Sequence, residues 1–303
     1  MKHFVTTTAL LLAVSPSLRA ETTSLDQLVD PGEKPVVLGT GYGFSEGPAA
    51  DAEGNVYFSD GKNDDIHVYQ LGEGVRLFVG DSLDANGMMF NTAGELIVCE
   101  GAAYRVVAFD VKTKEFRVLV GDSEDRRFNE PNDLAVDRAG GFYFTDPNYA
   151  HRGQKQLKKQ DVYYVSAEGE VRTVSTVCEQ PNGVLLSADG KTLYVADCRG
   201  KAVYRYDVAA PGRLTGRTKW IPDLGAHPDG MTTDIHGNVY VACGGAGIKV
   251  YAPTGEFIGT LDVGYASNCC FGGPDFKTLF ITSAERFLGL SMKVEGTKPL
   301  CAE

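Results

Sequence analysis

One pattern recurs six times along this chain: an Asn or a carboxylate, a short apolar run, a polar turn, and a second apolar strand. The copies are "EGPAADAEGNVYFSD" from Glu46, "NGMMFNTAGELIVCE" from Asn86, "NDLAVDRAGGFYFTD" from Asn132, "NGVLLSADGKTLYVADC" from Asn182, "DGMTTDIHGNVYVAC" from Asp229 and "NCCFGGPDFKTLFITS" from Asn268. Their opening residues stand 40, 46, 50, 47 and 39 residues apart. A period of that length, filled with short strands and turns, reads as a four-stranded propeller blade rather than a helical repeat. Two further strands follow in each unit, as in "AVYRYDV" at 202–208 and "TKWIPDL" at 218–224, the first alternating apolar and polar as a half-buried strand does.

Six such units fill a chain of 303 residues, so one large closed domain is expected instead of two average ones. No amphipathic helix of ten or more residues is legible beyond the N-terminus. The expected fold is all-β: a six-bladed β-propeller of four-stranded antiparallel blades spanning residues 35–303. "PVVLGTG" at 35–41 has no preceding unit to belong to. Val36 to Leu38 are therefore expected to form the outer strand of the last blade, with the other three strands supplied by residues 268–294. That interlock would remove an open sheet edge.

The start, "MKHFVTTTALLLAVSPSLRA", has a basic residue at Lys2, an apolar stretch from Phe4 to Val14 and small residues before Glu21. That is the layout of a cleavable export signal over 1–20, and the stretch is too short to span a bilayer. Residues 21–34 form an N-terminal extension. The mature chain is expected to be periplasmic or secreted, without a membrane span, and monomeric. Seven cysteines in an exported protein permit disulfides and leave at least one unpaired. Cys99, Cys198 and Cys243 end the second strands of their repeats, where small packing residues are the plainer reading. A net charge of −11 argues against nucleic acid as a partner.

In a propeller the innermost strand runs along the central channel, so the six openers face one axis from one mouth. Asp60, Glu100, Asp146 and Asp197, which end second strands, are brought near the same face. Ionised oxygens gathered out of bulk water need partners, and a divalent cation supplies one. An all-oxygen donor set suits Ca²⁺, Mg²⁺ or Mn²⁺. The competing reading is turn chemistry, since Asn-Gly and Asp-Gly are common β-turn pairs.

"SEGP" at Glu46, "EPNDLAVD" at Asn132, "QPNG" at Asn182, "HPDGM" at Asp229 and "FTDPNY" at 144–149 resemble the gluconolactonase/regucalcin family, whose six-bladed propellers include lactonases and diisopropyl fluorophosphatase. The resemblance covers essentially everything after residue 35. It implies one divalent cation, Ca²⁺ first with Mg²⁺, Mn²⁺ or Zn²⁺ as alternatives, held by Glu46, Asn132, Asn182 and Asp229. It implies a metal-dependent hydrolase that opens a sugar lactone or similar ester, the cation polarising the carbonyl and Asp229 assisting attack by water. For phosphotriester-cleaving relatives, a nucleophilic role of the matching Asp stays open.

Asn86, Glu130, Tyr149, His227 and Asn268 are candidate substrate contacts, with turn roles for Asn86, His227 and Asn268 as the alternative. Asp146 is a candidate for supporting the site from behind. "AHRGQKQLKKQ" at 150–160 carries Arg152, Lys155, Lys158 and Lys159 above the expected mouth, as a lid for anionic lactones or as a solvated loop. Where sugar-lactone-cleaving relatives have an Arg two residues before the third-repeat ligand, this chain has Glu130, with Arg127 nearby. The competing functions are a non-catalytic exported propeller that binds a protein or glycan, and a hydrolase acting on phosphotriesters.

Overall fold

The computed structural model of the chain describes residues 23–122, 127–149 and 159–302. The expected export signal over 1–20 and most of the expected lid over 150–160 lie outside the described residues.

The chain opens with a single-turn helix, α1 (Leu25–Leu28), and continues through β1 (Val36–Ala50), β2 (Val56–Asp60), β3 (Asp65–Gln70) and β4 (Gly74–Val79). β5 (Ala85–Phe90), β6 (Leu96–Glu100), β7 (Arg105–Phe109) and β8 (Phe116–Val120) form the next sheet. β9 (Leu134–Val136), β10 (Phe142–Asp146), β11 (Asp161–Val165) and β12 (Val171–Ser175) form another. β13 (Pro181–Leu186), β14 (Thr192–Asp197), β15 (Ala202–Ala210) and β16 (Arg213–Ile221) follow, then β17 (Met231–Thr233), β18 (Val239–Ala242), β19 (Ile248–Tyr251) and β20 (Phe257–Leu261). The last strands are β21 (Asn268–Gly272) and β22 (Thr278–Ser291).

The expectation of six separate four-stranded blades is corrected here, because the described strands make five sheets. Four are four-stranded, and the fifth is six-stranded in the order β21-β22-β1-β2-β3-β4. The cause is the continuity of β1, 15 residues long. Its first part pairs with β22, Val36 against Gly289 and Val37 against Leu288, while its second part pairs with β2, Ser45 against Asp60 and Ala50 against Val56. The first and sixth repeats of the sequence are thus one ladder, which joins the two ends of the chain. β22 itself turns at Ala284 (φ 53°), and its ends meet through the Met292 N–H donating to the Lys277 carbonyl at 2.8 Å.

The inner strands touch in a closed ring, β1 to β5, β9, β13, β17, β21 and back to β1. The second strands β2, β6 and β10 are buried along all five residues, since neighbouring sheets cover both of their faces. In four repeats the turn between first and second strands is set locally, by an Asx residue five positions after the opener. Asp51 Oδ1 accepts the N–H groups of Glu53 and Asn55 at 3.0 and 2.8 Å; Asn91, Asp137 and Asp234 do the same in their repeats. The glycine that follows three residues later, Gly54 or Gly94, takes the left-handed conformation this turn requires (φ 85° and 77°). No helix among the described residues is long and apolar enough to cross a membrane.

Candidate functional site

The Asn-Gly and Asp-Gly pairs at the openers are not turns. Asn86-Gly87 and Asn182-Gly183 lie inside β5 and β13. Their glycines are needed because the next inner strand lies directly against them. A Cβ on Gly47 would overlap the Asn86 carbonyl, on Gly87 the Asp133 carboxylate, on Gly183 the Asp229 carbonyl, and on Gly230 the Asn268 amide. This close approach draws the six openers into one tight ring. Two repeats depart from the glycine: the third has Asp133 and the sixth Cys269.

Asp133 is a candidate site residue that the sequence reading missed. It is 8% exposed, accepts the Leu134 N–H at 2.9 Å and reaches into the next sheet to accept the Val184 N–H at 3.2 Å. The available signal was "PND" standing in register with "PNG" and "PDG". Burial pushes its carboxyl up to about 7.

Glu46 and Asp229 belong to the same charge cluster. Burial, then the negative charge of Asp229, raises Glu46 well above the usual carboxylate range, against which the Gly47 N–H and the Asn268 amide donate to it. Asp229 keeps some surface at the mouth, but its carboxyl is enclosed enough that burial, then Asp133, pushes it up to about 7, while Asn182 donates to it. No lysine or arginine is among the principal groups acting on these three carboxylates.

The remaining predicted residues fall around this cluster. Asn182, 7% exposed, donates from Nδ2 to the Tyr149 hydroxyl at 2.6 Å. Tyr149 is therefore a neighbour of Asn182 and Asp229; burial and then Asp229 hold its hydroxyl far above the ordinary range. Glu130 is buried, and its Oε2 accepts the Tyr149 N–H at 3.0 Å, which sets it behind the tyrosine. Asn132 is buried and fixed by its backbone, its N–H donating to Thr145 and its carbonyl accepting from Gly87. Asn268 is buried beside Glu46, and Asn86 is partly exposed with its carbonyl accepting the Ser59 hydroxyl. His227 is exposed, its Nδ1 donating to the Cys198 carbonyl at 2.9 Å, outside the carboxylate cluster. Arg127 lies 3.8 Å from the Asp122 carboxylate.

Two more residues line the mouth without having been singled out. Burial, then Asp229 and Glu46, pushes the Tyr265 hydroxyl up to about 12. Burial and then Asp229 push the Cys198 thiol, which contacts Tyr149, up to about 11. All seven cysteines are free thiols, with Cys99 and Cys243 buried as packing residues.

The acidic residues at the ends of second strands act on the openers from behind. Asp60 accepts the N–H groups of Gly43 and Phe44, Asp146 that of Asn129, and Asp197 those of Glu179 and Gln180, all at 2.8–3.0 Å. In each case the clamped residues lie two or three positions before an opener: Glu46, Asn132 or Asn182. Glu100 instead pairs with Arg105 at 2.5 Å. Burial pushes Asp146 up to about 8.

Residues 44–285 match the model of the SMP-30/gluconolactonase/LRE-like region. The chain belongs to this family. It is 29% identical over 304 residues to the gluconolactonase of Zymomonas mobilis, covering 90% of this chain and 85% of the relative. Among solved structures it resembles a gluconolactonase of Xanthomonas campestris, with a TM-score of 0.80, 26% identity and coverage of 88% of this chain and 92% of the other. It also shares its fold with a regucalcin of Agrobacterium tumefaciens, described as a calcium-binding protein, with a TM-score of 0.77, 20% identity and coverage of 88% and 96%.

Proposed function

We propose that this protein is a metal-dependent lactonase, a carboxylic ester hydrolase that opens a sugar lactone. The observation that carries this reading is the cluster of enclosed carboxylates at one channel mouth, Glu46, Asp133 and Asp229, in which Asp229 and Asp133 raise the proton affinity of Glu46 and Asp133 that of Asp229, with no principal basic partner among the described residues. Kinship with gluconolactonases over most of the chain supports the substrate class.

The donor set fits a hard divalent cation. No three His, Cys, Asp or Glu side chains among the described residues converge closely enough to hold an ion by themselves. Two carboxylates assisted by two amides, Glu46 and Asp229 with Asn132 and Asn182, would balance the charge and offer only oxygens, which favours Ca²⁺ over thiolate-seeking metals. When bound, such a cation polarises the lactone carbonyl and stabilises the negative charge that develops on its oxygen.

The chain's own residues supply the rest. Asp229 takes a proton from the attacking water as the new C–O bond forms, and returns it to the ring oxygen as the ring C–O bond breaks. The Tyr149 hydroxyl fixes the rotation of the Asn182 amide, and Asn268 orients the Glu46 carboxyl.

The test is hydrolysis of a sugar-acid lactone, an aryl ester and a phosphotriester by chelator-treated protein with Ca²⁺, Mg²⁺, Mn²⁺ or Zn²⁺ restored. Lactone cleavage that depends on the added cation is the expected result. Tight cation binding without turnover of any substrate would replace this reading with that of a binding propeller.

A further inference from the structure

A cavity of about 490 Å³ opens off the carboxylate mouth, lined by Phe44, Glu46, Gly61, Lys62, Asp84 and Asn86 among others. Glu46 and Asn86 are ring openers, so the cavity is continuous with the site described above. Its volume accommodates a sugar-sized ligand. Phe44 on its wall meets Tyr265 of the neighbouring mouth edge-on at 6.2 Å between ring centroids, and Tyr265 is close enough to Glu46 and Asp229 to respond to their charges.

Lys62 is the cation of this cavity. Its Nζ sits 5.5 Å from the centre of the Phe44 ring, and among the described residues it makes no ion pair with a carboxylate. Its backbone is held in a tight turn, with the Asn63 N–H donating to the Asp60 carbonyl at 3.2 Å and the Asn63 amide to the Asp60 carboxylate at 2.7 Å. Asp60 is itself fixed by Gly43 and Phe44. The lysine stem therefore leaves a rigid base, and the ammonium rests on the Phe44 ring of the cavity wall.

In a protein with a net charge of −11 and several carboxylates at this mouth, an anionic ligand would be repelled unless a cation met it. Lys62 meets that need by position, since it lines the cavity beside Glu46.

We infer that Lys62 is a specificity-determining residue that selects lactones bearing an anionic substituent, a carboxylate or a phosphate, remote from the reacting carbonyl. This rests on the lactonase reading above. The apolar face of the sugar ring lies against Phe44 and Tyr265, the carbonyl is directed to Glu46 and Asp229, and the anion reaches Lys62.

The experiment compares kcat/KM of the cation-loaded protein on a neutral hexonolactone, the corresponding lactone with a carboxylate at the far carbon, and its phosphorylated counterpart. The expected anionic-to-neutral ratio is about tenfold, as for one charge-assisted contact, and it shrinks with added salt. In Lys62→Met the ratio falls to near one, while Lys62→Arg retains it. Comparison of the two anionic lactones identifies which anion is preferred. Calorimetric titration with the open-chain products provides a second readout without turnover, in which Lys62→Met loses the preference for the doubly anionic product. A wild-type ratio near one, or a ratio unchanged in Lys62→Met, overturns the assignment while leaving the lactonase reading intact. Failure to cleave all three lactones with every cation overturns both.

Discussion

At one mouth of the channel the inner strands present Glu46, Asn132, Asn182, Asp229 and Asn268; three to four residues further along, the same strands present Ala50, Val136, Leu186, Thr233 and Phe271. The far mouth encloses a cavity of about 130 Å³ lined mainly by apolar residues from all six inner strands. The C-terminal segment crosses it. Thr297 donates its N–H to Thr233 at 2.9 Å, Leu300 packs on the core beneath β9 and β10, and Cys301 on that beneath β5 and β6. The far mouth gains from burying apolar surface, whereas the near mouth buries carboxylates that disfavour their own charged forms. Strands of one ring can therefore carry a stabilising end and a chemically strained end, and variants at the two ends should separate stability from function.

The largest separation is expected from Asp229→Asn. It keeps the shape and removes the basic oxygen, so kcat/KM on a lactone should drop about 10²- to 10⁴-fold. The melting temperature of the metal-free protein should hold or rise, because one buried carboxylate is gone. Activity within about threefold of wild type would remove Asp229 from the base role.

Phe271→Ala tests the opposite end. The ring is 3% exposed and packs against Gly296 of the crossing segment and Tyr240 at 5.3 Å. Its loss should destabilise the fold by about 3 kcal/mol, near the low end for a core phenylalanine because a cavity already adjoins it. Denaturant unfolding reports that loss, and the lactone kcat/KM of the folded fraction should stay within about twofold. A large activity loss with little destabilisation would mean that the two mouths are coupled.

This division was only partly legible in the sequence. The repeat was readable because four of its six turns reuse an Asx side chain five residues after the opener, at Asp51, Asn91, Asp137 and Asp234, and such chemistry is local. The openers were readable for a similar reason, since close packing at the axis demands glycine after most of them. The sheet count was not, because it depends on whether β1 stays hydrogen-bonded from Val36 to Ala50, which no local motif specifies. Asp133 was hidden by standing where a glycine was expected. The apolar mouth was hidden because its residues look like ordinary strand interior until the ring closes.

A third prediction concerns pH. Asp133 and Asp229, pushed up to about 7, and Glu46, also raised, bind protons more tightly in the folded chain than in the unfolded one. Between the unfolded carboxylate range near 4 and about 7, the native state holds more protons, so metal-free stability should fall as pH rises and level off above that window. The total effect is on the order of a few kcal/mol. Thermal melts from pH 4 to 8 should show this slope, Asp133→Asn should reduce it, and saturating Ca²⁺ should flatten it by supplying the missing positive charge. Stability that rises over the same range would contradict the carboxylate cluster.

The smallest effect sharpens the comparison within the near mouth. Asp197 holds the Glu179 and Gln180 N–H groups just before Asn182, whereas Glu100, at the same place in its repeat, is turned toward Arg105 and clamps no such loop. Asp197→Asn weakens the three charge-assisted bonds it accepts, from Glu179, Gln180 and Gly200, while keeping the shape, a loss of about 1–2 kcal/mol in stability. If the clamp exists to aim Asn182, its loss should also weaken divalent-cation affinity, read calorimetrically, by more than Glu100→Gln does. Equal changes in cation affinity from the two variants would make the clamp part of the scaffold alone. A selective loss at Asp197 would mean that the acidic strand ends set the geometry of the ring, and that the near mouth is supported by a second layer of carboxylates whose own charges are satisfied by backbone N–H groups.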